Sequence, residues 1–119
     1  MQKCIGVKLT NAAYRKVDGL SFGLAIEALK KGKKIARKGW NGRGMFLFLR
    51  PEALLPWEVV KNAVSLPECL RDYVGNQPRG GKGTKFGAYI CMKAADESIV
   101  NGWLASQTDM LADDWTVIE

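Results

Sequence analysis

Apolar residues recur at helical spacing in one stretch, Phe22, Ala25, Ile26 and Leu29. Ser21 supplies a cap before it and Gly32 a stop after it, so the pattern predicts a short amphipathic helix. Elsewhere the pattern is that of strands. Ile5, Val7 and Leu9 alternate weakly within residues 1–20 and predict a strand or an extended arm. Lys33 to Arg37 reads as a strand around Ile35, and Met45 to Arg50 as a strongly apolar strand ended by Pro51. Between them, Trp40-Asn41-Gly42-Arg43-Gly44 is a loop, because Asn-Gly favours positive φ. Residues 35–50 therefore predict a hairpin. Pro56 to Val64 and Pro67 to Tyr73 predict two short helices that open on proline. Gly75 to Gly87 reads as a flexible connector. Ala88 to Lys93 and Ser98 to Val100 predict strands around a turn at Ala95-Asp96-Glu97. Leu104 to Met110 begins as a loop and ends as a helical turn, and Trp115 to Ile118 is a closing strand. The sum is an α+β fold: a small single domain, with an antiparallel sheet, an N-terminal helix and short additional helices.

Length agrees with this picture. The 119 residues, 47% of them hydrophobic, suffice for one globular domain with a modest core. The longest apolar runs are too short to span a bilayer, and Met1 to Ile5 lacks the apolar region of a signal peptide. A cytoplasmic protein with no membrane partner is expected. Cys4, Cys69 and Cys91 are odd in number and widely spaced. With no CxxC pair and no histidine, they predict reduced, mostly buried thiols and no metal site. The missing histidine also removes the commonest general base near neutral pH.

Charge changes the picture more. The net charge of +6 is uneven: residues 1–50 carry twelve cations against Asp18 and Glu27, whereas residues 93–119 are acidic. Such a basic half favours an anionic partner, and the acidic tail can neutralise it within the chain or from another copy. Lys30 to Arg43 holds seven cations and no acid. Lys30 and Lys31 suit a helix C-terminus. Arg37, Lys38 and Arg43 flank an indole instead, which points to anion binding. Trp40 is either a core residue or a pocket wall on which a base stacks. Asn41 is either a turn residue or a ligand donor.

The block Trp103 to Trp115 adds further candidates. Ser106 reads as a helix cap with Asp109 accepting a backbone N–H, which leaves Gln107 and Thr108 free for hydroxyls and base edges. Asp113 and Asp114 read as surface or intersubunit residues. The candidate ligand residues are Arg37, Trp40, Asn41, Gly42, Arg43, Phe46, Trp103, Gln107, Thr108 and Asp109; no catalytic residue and no cofactor is expected. The stretch Arg79 to Lys85 fails as a P-loop, since Gly83 separates Lys82 from Thr84. Arg79, Gly80, Gly81, Lys82 and Lys85 form either a second anion-binding loop or a solvated connector.

Four segments carry a resemblance: Phe22-x-x-Ala25-x-x-x-Leu29-x-x-Gly32, Ala36-Arg37-x-Gly39-Trp40-Asn41-Gly42-x-Gly44-Met45, Met92-Lys93-x-Ala95-Asp96, and Trp103 through Trp115. They are similar to the Thoeris anti-defense two family of small phage proteins, over about residues 21–50 and 88–119. Residues 1–20 read as an N-terminal extension and 51–87 as a variable insert of one ligand-sequestering domain. The resemblance implies a non-enzymatic sponge. Such proteins bind the cyclic ADP-ribose-type signal of bacterial TIR enzymes, and some bind CBASS cyclic di- or trinucleotides at a separate site. It also implies homotetramers with pockets between protomers. The competing readings are a small basic nucleic-acid-binding protein, whose affinity would fall steeply with salt, and a nucleotide-directed enzyme working without histidine.

Overall fold

The computed structural model describes residues 2–3, 5–6, 18–40, 44–78 and 83–118. The helix predicted from Ser21 onward is α1 (Phe22–Lys30); the Ser21 hydroxyl accepts from the Leu24 N–H at 3.3 Å. The short extended segments β1 (Gln2–Lys3) and β2 (Ile5–Gly6) precede it. Then come β3 (Lys34–Arg37), β4 (Phe46–Arg50), β7 (Tyr89–Lys93), β8 (Ile99–Val100) and β9 (Trp115–Ile118). These five strands form one antiparallel sheet in the order β8-β7-β4-β3-β9. The architecture is α+β, with the predicted hairpin present as the β3–β4 pair, Ile35 opposite Leu47.

Register divides the sheet into two faces, because side chains alternate with a period of two. Ile35, Leu47 and Trp115 join Leu20, Ala25 and Leu29 of the α1 region in one buried cluster. Arg37 pairs directly with Trp115, so it shares that face. Phe46 neighbours Leu47 and pairs with Lys93, which places it on the other face. The edge strand β9 is held from both sides: β3 pairs with it in the sheet, and Leu20 exchanges two backbone hydrogen bonds with Trp115 at 2.9 and 3.2 Å. Leu20, assigned by the sequence pattern to the extension, is therefore a core residue, 5% exposed.

The chain forms two compact units, residues 1–50 with 89–119, and residues 51–88. In the second, α2 (Trp57–Val60) is a single turn rather than the longer helix expected from Pro56: directly beyond it the bonds tighten to a three-residue spacing, Asn62 N–H to the Val59 carbonyl and Ala63 N–H to the Val60 carbonyl. The helix α3 (Glu68–Gly75) follows Pro67 as expected. One feature was not predicted: β5 (Ala53–Leu55) pairs antiparallel with β6 (Thr84–Phe86), so a strand stands inside the expected connector. Val60 and Val74 are its buried apolar residues. Cys91 is buried as expected, whereas Cys69 is exposed on α3. The side chain of Cys4 lies outside the described residues.

Candidate functional site

The site begins where β3 ends. After Arg37 the chain turns, with Trp40 N–H donating to the Arg37 carbonyl at 3.2 Å. On the far side of the sequence, the helical turn α4 (Gln107–Leu111) is capped by Ser106, whose hydroxyl accepts from the Asp109 N–H at 3.1 Å. The turn delivers Asp109 to the end of β3, and the segment leading into β9 delivers Asp114.

Arg37 is gripped by both acids. Its Nε–H donates to Asp114 Oδ1 at 2.8 Å and Nη2 to Oδ2 at 3.4 Å, a bidentate pair. Its Nη1 donates to Asp109 Oδ1 at 2.9 Å. The Arg37 and Asp109 side chains are each 15% exposed. The same Asp109 Oδ1 accepts from the Trp40 indole N–H at 3.1 Å, and the Asp109 carbonyl accepts from the Trp115 indole N–H at 2.9 Å. Asp109 is thus the junction of the site, ordering a guanidinium and two indoles at once.

The indoles pack on one another. Trp40, Trp103 and Trp115 meet edge to face, with ring centroids 6.3 Å apart for Trp40–Trp103, 5.4 Å for Trp40–Trp115 and 6.3 Å for Trp103–Trp115. That geometry places the positive ring edge of one against the negative face of another. Trp115 is fully buried, while Trp40 and Trp103 are half-buried against the core. The result is an indole wall with one partner in the core and two reaching the surface.

Burial raises the Asp109 carboxyl, but hydrogen bonds from Arg37, Trp40 and Ser106 outweigh it and hold the group below its ordinary 3.8. The Arg37 hydrogen bond does the same for Asp114, against a smaller opposing effect of burial and with help from the Gly39 N–H. Arg37 is in turn held more firmly protonated by Asp114 and then Asp109. The sign follows: a lowered carboxyl contributes stability that is full above its unfolded pKa and is lost as pH falls through the lowered one. Thermal melts are therefore expected to be flat near neutrality and to fall below about pH 4. Asp109→Asn with Asp114→Asn is expected to flatten that acid limb; an unchanged limb would place its origin elsewhere.

Of the candidate residues, the fold brings together Arg37, Trp40, Trp103 and Asp109. Gln107 and Thr108 are exposed in the first turn of α4. Phe46 is on the opposite sheet face, flanked by the Lys34 and Lys93 ammonium groups at 5.2 and 5.9 Å from its ring centroid. Asn41, Gly42 and Arg43 lie outside the described residues, as do Arg79, Gly80, Gly81 and Lys82. Lys85 is exposed on β6 and pairs with Glu52 at 3.5 Å. Asp114, read from sequence as a surface or intersubunit acid, is instead a partner of Arg37. Opposite charge in residues 30–43 and 109–114 hinted at such a pairing, but only the Arg37–Trp115 register decides which acid arrives.

Fold and site together define a small α+β domain whose tryptophan wall is fastened by an arginine between two aspartates. The sequence profile of the Thoeris anti-defense 2-like domain matches residues 20–118, starting at the residue that bridges to Trp115. The chain belongs to that family. It is 39% identical over 99 residues to the protein Thoeris anti-defense 2 of Bacillus phage SP01, an alignment covering 83% of this chain and 94% of that protein.

Proposed function

We propose that this chain is a phage anti-defense sponge. It binds a cyclic nucleotide immune signal, glyco-cyclic ADP-ribose from TIR enzymes, and holds it without cleavage in the cytoplasm of the infected host. The observation that carries this reading is the indole wall of Trp40 and Trp103, in which Asp109 holds the Trp40 N–H and Trp103 packs edge to face on Trp40. A half-buried indole offers a base a stacking surface worth about 1–3 kcal/mol. Gln107 and Thr108 supply hydroxyl and base-edge contacts beside it, and Arg43 with Asn41 and Gly42 the phosphate contacts. The acids of the site are held ionised and tied to Arg37, which suits positioning and not proton transfer near pH 7. Family membership supports the anti-defense role. Arg37 is committed to Asp109 and Asp114, so its part is to order the wall rather than to meet a phosphate. Among the described residues no helix is long and apolar enough to cross a membrane.

The same proposal includes a homotetramer and a second site, for CBASS cyclic di- or trinucleotides, at Lys85 and the neighbouring Arg79-Gly80-Gly81-Lys82. Support for association is the exposure of Leu104 at 91% and Leu111 at 79%, large apolar side chains that a monomer leaves in water.

Native mass spectrometry with a panel of cyclic nucleotides tests the reading, followed by heat release of what is bound. The expected result is an assembly of four 13.1 kDa chains carrying ligand that comes back with unchanged mass. Time-dependent conversion of ligand would make the protein an enzyme, and retention of none would end the sponge reading.

A further inference from the structure

The sheet face opposite the one that carries Trp115 has a composition of its own. Alternation places Lys34, Phe46, Phe48, Arg50, Tyr89 and Lys93 there. The strand positions of this face hold these three cations and no acid. Its three rings, Phe46, Phe48 and Tyr89, are half-buried, and none is closed off from solvent.

Each cation lies against a ring. Lys34 Nζ is 5.2 Å and Lys93 Nζ 5.9 Å from the Phe46 centroid, and the Arg50 guanidinium carbon is 5.4 Å from the Tyr89 centroid. Phe48 adjoins Phe46, with 6.3 Å between centroids. Two carboxylates bond to residues of this face. Glu97 lies 3.2 Å from Lys93 Nζ, and Asp18 accepts from the Thr116 hydroxyl at 2.7 Å while facing Lys38 Nζ at 3.4 Å. Among the described residues, Lys34 and Arg50 have no carboxylate within ion-pair distance. A cation resting on a ring where solvent reaches the pair is weakly held, and a phosphate is the stronger partner.

We infer that this face is a platform for single-stranded nucleic acid. Lys34, Lys93 and Arg50 meet phosphates, and Phe46, Phe48 and Tyr89 offer their rings to bases. The arrangement is linear, which favours a strand over one compact nucleotide. Lys93 and Tyr89 stand at opposite ends of β7, opposite Phe46 and Arg50 on β4. Four residues of strand span about 13 Å, at about 3.3 Å each. A stacked single strand rises about 3.4 Å per phosphate, so about four phosphates cover that length. Stacking on rings tolerates any base, so the platform reads charge and unpaired bases rather than sequence. The indole wall is not involved, and the inference does not rest on the sponge reading.

The test is fluorescence anisotropy of the whole chain with a labelled oligothymidylate of about twelve nucleotides, beside a duplex of the same length. Anionic phospholipid vesicles form a third arm, read by co-sedimentation. Three cations on a single strand are expected to give log affinity against log salt a slope of about −2, at about −0.7 for each phosphate neutralised. Lys34→Gln with Arg50→Gln leaves one cation, and is expected to reduce the slope to about −0.7 and weaken binding roughly tenfold or more at low salt. Phe48→Leu keeps an apolar side chain and removes a ring. It is expected to weaken binding roughly tenfold with the slope unchanged. Thermal melts show that the slopes are read on folded protein. Absence of oligonucleotide binding at low salt overturns the inference, and so does wild-type affinity in the charge variant. Tighter binding of the duplex, or binding to vesicles alone, overturns it as well. Capture of cyclic nucleotides is expected to be the same in the charge variant as in the wild type. Its loss there would make this face part of the sponge site and overturn a separate platform, whereas capture without oligonucleotide binding leaves the sponge reading standing alone.

Discussion

Trp115→Ala is expected to cost about 3–5 kcal/mol of folding stability, the range for truncating a core tryptophan. Trp115 is fully buried and sits at the meeting point of every element of the sheet unit that matters to the site. Its ring contacts Phe22 at 5.3 Å and Trp40 at 5.4 Å between centroids, and its indole N–H holds the Asp109 carbonyl. Its backbone joins β9 to Leu20 on one side and to Arg37 on the other. Small domains have only about 5–15 kcal/mol in total, so the variant approaches unfolding at ordinary temperature. Urea denaturation at constant m-value measures the loss. A cost under about 1 kcal/mol would mean that the indole is replaceable and that the cavity closes.

Arg37→Met is expected to cost about 2–4 kcal/mol. Removing the cation leaves Asp109 and Asp114 without their counter-charge, 2.8–2.9 Å from where it stood. A fully buried pair broken this way loses about 3–5 kcal/mol, and the 34% exposure of Asp114 calls for a discount. The diagnostic result is recovery: adding Asp109→Asn and Asp114→Asn to Arg37→Met removes the stranded charges and is expected to restore most of the stability, as measured by the same denaturation curves. A single-variant cost within the about 0–1 kcal/mol of an exposed ion pair would show that solvent already screens the network.

Local signals were readable in the sequence, and register was not. The α1 helix followed from one cap, four spaced apolar residues and one glycine, all within a dozen positions. The β3–β4 pairing followed from a strand around Ile35 and an apolar run from Met45, while the Asn-Gly positions between them lie outside the described residues. Trp115 was readable as the first residue of the closing strand, and its burial follows from the face it shares with Ile35 and Leu47. Phe46 lies close to Arg37 in sequence and yet ended on the other face, because a single step along a strand reverses the side chain. Asp114 could not be assigned, since its partner is fixed by pairing between residues far apart in the chain. The β5–β6 pair was missed for a related reason. Ala53-Leu54-Leu55 and Thr84-Lys85-Phe86 are three residues each, too short to show alternation, and each is stabilised by a strand it cannot specify alone.

Arg50 and Tyr89 are the last and first residues of neighbouring strands and lie directly opposite each other in the sheet. Everything from Pro51 to Ala88 leaves and re-enters at that one point. In topological terms residues 51–88 are the connection between two paired strands. Closing a longer connection costs only about 0.6 kcal/mol for each doubling of its length. A change in the length of this connection therefore adds little to the cost of pairing β4 with β7. The strand pairing that carries the indole wall thus depends little on how many residues separate Arg50 from Tyr89.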